Sequence, residues 1–144
     1  MRFFFVSVIP SYMSLSQCSE FLRTLCDELK LPNPPSVKFG MKVLPFVLNR
    51  SIEIEFRAIE PMGIALRAAI TPCPSQKREE LFIQLMLANF LTQGTGGAAI
   101  GLDRNEKNLS LSLKLPYELT YTSFKEHLEI FANYLEYWRS TLSK

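Results

Sequence analysis

Chemistry would first be sought in the glycine corner Gly94-Thr95-Gly96-Gly97-Ala98-Ala99. Glycine loops that cradle a phosphate run from a strand into a helix, whose first amides meet the anion. This corner has the opposite polarity: a helix-like run ends at Gly94 and a short apolar run follows. It reads as a helix stop turning into a strand. His127 is the only histidine, with no cysteine near it in sequence, and general-base work needs an orienting partner. Glu53 and Glu55 share one face of a strand pattern, which alternation alone explains. No H-x-x-x-H, paired-cysteine, G-x-S-x-G or Walker A spacing occurs, so no catalytic, metal or cofactor site is assigned.

Composition narrows the class. At 144 residues with a 47% hydrophobic fraction and 11 Phe, the chain can bury the core of one domain. The net charge is +2 and the basic residues are scattered, so no stripe is available to track nucleic acid. Three cysteines without C-x-x-C spacing favour a reduced compartment. Cys18 and Cys26 would lie roughly 12 Å apart along one helix, beyond disulfide reach. No run approaches the length of a membrane span. Residues 1–12 form an apolar extension, either an extended arm or the product of an upstream start, and residues 13–144 form the single domain.

The elements follow from periodicity. Ser14 or Ser16 opens a first helix with Leu15, Cys18, Leu22, Leu25 and Leu29 as its stripe, and Pro32-Asn33-Pro34-Pro35 ends it. The period then switches to two. Two early runs, 37–41 and 43–48, precede Ile52, Ile54, Phe56 and Ala58, and then Ile64, Leu66, Ala68 and Ile70. Pro45 lacks an amide donor and belongs at a sheet edge or in a bulge. Ser75 is the expected cap of the second helix. There Leu81, Phe82, Leu85, Ala88 and Asn89 trace one face, while Ile83, Met86, Leu87 and Phe90 supply apolar groups elsewhere. A helix apolar on more than one side asks for a second body, most simply another subunit. Strands at 98–102 and 109–115 follow, and Ser123 with Glu126 forms a capping box for a last helix. Its stripe is Phe124, Leu128, Phe131, Leu135, Trp138 and Leu142. The order is helix, three or so strands, helix, two strands, helix: an α+β layer of helices packed on a twisted antiparallel sheet.

These residues resemble the class I type III secretion chaperones, the Tir chaperone (CesT-like) family. The resemblance is carried by Leu85-Met86-Leu87-Ala88-Asn89-Phe90, then Gly94-Thr95-Gly96-Gly97-Ala98 and Gly101-Leu102-Asp103. Leu29-Lys30-Leu31-Pro32 and the closing Tyr137-Trp138-Arg139 add to it, and it spans about residues 13–142. It implies the α+β order α-β-β-β-α-β-β-α and a dimeric bacterial cytoplasmic protein, not an enzyme, without ATP hydrolysis or a cofactor, that keeps the N-terminal non-globular segment of a secreted effector or regulator secretion-competent. The implied dimer interface takes Leu81, Leu85, Ala88, Asn89, Phe90, Ala98 and Ile100. A client strand could add to a sheet edge and drop side chains into apolar grooves. Candidate effector-binding residues are Leu22, Leu25, Phe39, Leu44, Phe46 and Leu48. Family members are typically acidic, so the net charge of +2 points to an acidic client or to a heterodimer with an acidic relative. The rival reading is a small α+β ligand-binding domain or enzyme using the corner at residues 94–97.

Overall fold

The computed structural model describes residues 14–38, 40–49, 52–59, 63–91, 97–103, 105–116 and 118–142. Its elements are α1 (Leu15–Leu29), β1 (Val43–Asn49), β2 (Ile52–Ala58), β3 (Ile64–Pro72), α2 (Arg78–Leu91), β4 (Ala99–Leu102), β5 (Asn108–Lys114) and α3 (Tyr121–Leu142). The α+β order expected from periodicity is the one observed. Residues 1–12, Phe39 and Gly94 to Gly96 lie outside the described residues.

The five strands form one antiparallel sheet in the order β1-β2-β3-β5-β4. Pro45 therefore sits on an edge strand, where its missing N–H does least harm. Ile52, Ile54 and Phe56 of β2 and Ile64, Leu66, Ala68 and Ile70 of β3 are all buried. The alternation that defines these strands points one face at the core. α1 and α3 cover that face. Phe21, Phe124, Phe56 and Phe46 form a continuous aromatic chain through it, with successive ring centroids 5.2, 5.9 and 6.4 Å apart. Such contacts add to the area these rings bury.

Local signals place the elements with three corrections. Ser14 is the cap of α1, its Oγ accepting from the Gln17 N–H at 3.1 Å. Ser75 does not cap α2: the helix starts at Arg78, after Lys77 in a left-handed conformation (φ 56°). The Ser123 and Glu126 pair is not the start of α3 either. Thr120 holds that position, its Oγ1 accepting from the Ser123 N–H at 3.2 Å, which leaves Ser123 inside the first turn. Both Thr and Ser can accept from an orphan N–H, so tertiary packing chose the earlier one. The third correction concerns residues 37–41. Lys38, Gly40 and Met41 lie in no strand, and Gly40 takes a positive φ of 80°, which breaks an extended run.

Candidate functional site: an apolar groove and an uncovered helix face

α2 is apolar on more than one side, and the sheet covers only one of them. Leu85 is buried, with Leu81, Phe82 and Ala88 partly buried beside it. The opposite stripe is Ile83, Met86, Leu87 and Phe90, spaced i, i+3, i+4, i+7 along one side of the helix. These four are exposed by 55%, 68%, 60% and 84% respectively. Four large apolar side chains in one row on the surface mark an interaction face.

The seven residues expected at a subunit interface divide. Leu85, Ala98 and Ile100 are buried within the chain's own core, and Leu81 and Ala88 are half-buried. Asn89 is occupied inside the chain: its Oδ1 accepts from the Ile100 N–H and its Nδ2 donates to the Ile100 carbonyl, each at 2.8 Å. Phe90 alone of the seven is wholly outward. The signal for the exposed stripe lay in the sequence as the residues left over once one face had been assigned to the core.

A groove runs between α1 and α3, with a volume of about 360 Å³. Leu25, Leu29, Leu48, Ile52, Leu128 and Ala132 form its floor and walls, and Lys125, Glu129 and Glu136 stand among its polar lining. Leu29 is 51% exposed because α1 ends there. Lys30 adopts a left-handed conformation (φ 55°) and Pro32 lies two residues on, so the helix cannot continue. A second depression of about 750 Å³ lies on the other side of Leu48, lined by Leu31, Pro35, Phe46 and Val47 among others. Leu48 is the wall the two share.

Of the candidate effector-binding residues, Leu25 and Leu48 meet in the groove, while Phe46 joins Leu48 in the second depression. Leu22 and Leu44 are buried among core residues, and Phe39 lies outside the described residues. Leu29, Ile52, Leu128 and Ala132 were not singled out for this surface. Their sequence pattern is that of core positions; Ile52, Leu128 and Ala132 are indeed buried and line the groove from beneath, and Leu29 alone is exposed.

Electrostatics brace the groove. Lys125 Nζ donates to Glu28 Oε2 at 2.8 Å, joining α1 to α3 at one end. The Lys125 hydrogen bond holds the Glu28 carboxyl below its ordinary value, and Glu28 in turn raises the Lys125 ammonium. The polar groups considered for catalysis have structural roles. His127 Nδ1 donates to the Ser123 carbonyl of its own helix at 2.7 Å. Glu55 lies opposite Arg67 and 3.6 Å from the Arg57 guanidinium, on a solvated face. Burial pushes the Cys18 thiol up to about 12 and raises Cys26 as well, so neither is a ready nucleophile. Among the described residues, no His, Cys, Asp and Glu gather as a metal site, and no helix is long and apolar enough to cross a membrane.

An apolar groove beside a sheet edge, on a body with one uncovered helix face, suits protein contacts. The profile of the Tir chaperone protein (CesT) family matches residues 21–139. The chain belongs to this family. A Chlamydia pneumoniae protein is 32% identical over 104 residues, covering 72% of this chain and 78% of the relative. The fold is shared with a chain of the ExsC–ExsE complex (TM-score 0.68, 16% identity, 89% of this chain and 96% of that one). It is shared too with a chain of the HopA1–SchA chaperone–effector complex (TM-score 0.61, 14% identity, 89% and 98%). YbjN from E. coli has a similar fold at a TM-score of 0.55, 18% identity, over 83% of this chain and 87% of that one. The CesT family member is thus a secretion-chaperone fold in which α2 leaves an apolar stripe uncovered.

Proposed function

We propose that this chain is a bacterial cytoplasmic type III secretion chaperone that binds the N-terminal, non-globular segment of a secreted effector or secretion regulator. It keeps that segment soluble and secretion-competent by equilibrium binding, without catalysis, cofactor or ATP hydrolysis. The observation that carries the reading is the groove between α1 and α3, lined by apolar side chains with Leu29 exposed at its edge, on a member of the CesT family. A non-globular segment can lay alternate apolar side chains into such a groove and pair its backbone with the neighbouring edge strand. β1 is that edge, and its far side carries Phe46 and Leu48 toward the two depressions.

The working unit is a dimer joined across the Ile83, Met86, Leu87 and Phe90 stripe of α2, with Leu81, Ala88 and β4 at its margin. The partner is a second copy or an acidic relative, since the net charge of +2 favours encounter with an acidic body. Burying four large apolar side chains on each side supplies the hydrophobic centre that a stable interface needs.

The test is purification of the tagged chain from its native cell with identification of whatever accompanies it, followed by binding of that protein's N-terminal segment to the pure chain. Binding without nucleotide, in a complex whose light-scattering mass contains two chaperone chains, is the expected result. A monomer, or capture that requires ATP or the client's folded domain, overturns the reading.

A further inference from the structure

β4 is an edge strand, and an edge offers unpaired N–H and C=O groups to any extended chain. Its register shows which groups those are. The Asp103 N–H donates to the Asn108 carbonyl at 3.0 Å, and Ile100 lies opposite Leu111. Bonded and non-bonded pairs alternate along an antiparallel ladder. Ala99 and Gly101 therefore bond to β5, while Ile100 and Leu102 turn their main-chain groups away from the sheet. At Ile100 both groups are already taken by the Asn89 carboxamide, through two hydrogen bonds of 2.8 Å. A carboxamide presents one donor and one acceptor side by side, the pair that an adjacent strand would present.

We infer that Asn89 is a strand surrogate that closes the β4 edge, so that other polypeptides reach this side of the protein through side chains and not through backbone pairing. An added strand must bond outward groups two residues apart, and one of the two outward residues of this four-residue strand is occupied. Among the described residues, no strand pairs with the far side of β1, the opposite edge. The Ala58 N–H donates to the Lys42 carbonyl at 2.9 Å, so Val43, Pro45 and Val47 turn outward on β1. Pro45 lacks a donor there, but Val43 and Val47 keep theirs. Strand addition is thereby directed to β1, and the α2 stripe beside β4 is kept for packing. The clamp lies within one chain and holds whether or not the protein carries a client.

Hydrogen exchange followed by NMR on the full chain tests it first. The Ile100 amide should exchange at least about tenfold more slowly than the Leu102 amide, as a bonded edge amide does; equal rates overturn the proposal. In Asn89→Ala that protection should vanish, and light scattering should show association beyond the wild-type mass as concentration rises. Adding Leu102→Pro removes an outward donor without touching the β5 ladder, and should restore the wild-type mass. Association that survives Leu102→Pro, or an Asn89→Ala chain that keeps the wild-type mass throughout, overturns the assignment. Should Asn89→Ala fail to fold, Asn89→Asp keeps the acceptor for the Ile100 N–H. Retained Ile100 protection in that variant supports the clamp, and its loss refutes it.

Discussion

The guanidinium of Arg139, near the end of α3, binds the Ala69 carbonyl of β3 through two donors, Nε at 3.1 Å and Nη2 at 2.8 Å. The contact falls where the β3 and β5 register shifts, between Ala69 and Thr71. The β2–β3 pairing ends at Glu55 and Arg67, so the Ala69 carbonyl lies past that ladder, and the planar fork of an arginine satisfies it from outside the sheet. Arg139 thus fastens the last helix to an irregularity in the sheet it covers.

Arg139→Ala should lower unfolding stability by about 1–2 kcal/mol, the scale of charge-assisted hydrogen bonds that are partly open to water. Arg139→Lys should recover only part of this, because an ammonium lacks the two-pronged geometry. Denaturant unfolding monitored by Trp138, which is buried in the same helix, measures both.

Met86→Glu with Phe90→Glu should convert the proposed dimer to a folded monomer. Both side chains are surface residues of the single chain, so the protomer's own stability should move by no more than about 0.5 kcal/mol. Light scattering with circular dichroism separates the outcomes; a dimer that persists removes the α2 stripe from the interface.

Leu29→Glu should weaken client binding by roughly tenfold or more while leaving the fold intact, because it places a charge in an apolar groove without emptying the core. Leu22→Ser is the contrasting variant. Leu22 is fully buried, so its replacement should cost stability whatever it does to binding. Titration calorimetry with the client segment and thermal melts read the two effects apart.

Alkaline pH should destabilise the protein through Cys18. Its folded thiol is pushed by burial from an ordinary 9.0 up to about 12, so in that window the unfolded chain ionises and the folded chain does not. The unfolded state then holds fewer protons, and stability falls as pH rises, by about 1.4 kcal/mol per pH unit from this group. The contribution is fully present below the ordinary thiol value. Cys18→Ala should remove that part of the slope. Melts in a pH series above 9.0 check the sign, and Ellman's reagent should find Cys73 reactive before Cys18 or Cys26.

The order of helices and strands was legible because each element repeats its apolar residues at its own period. Ile52, Ile54 and Phe56 announce a strand, and Phe124, Leu128 and Phe131 a helix, whatever they pack against. The motif from Ala88 to Asp103 carried the family. Pro45 revealed an edge, since a residue without an N–H cannot sit inside a ladder. Helix starts were less legible, because Ser75, Thr120 and Ser123 all have the chemistry of a cap and only packing selects among them.

Which apolar residues face outward was beyond any local pattern. Leu22 and Leu29 lie on one helical stripe, yet one is sealed under the sheet and the other opens onto the groove where α1 ends. Leu81 and Met86 belong to one helix, and the sheet reaches only the first. Asn89 reads as an interface residue until Ile100, eleven positions later, folds back beneath it. Periodicity depends on bonds along the chain and can be read from it. Exposure depends on what lies across the gap, and that is decided only when distant segments meet.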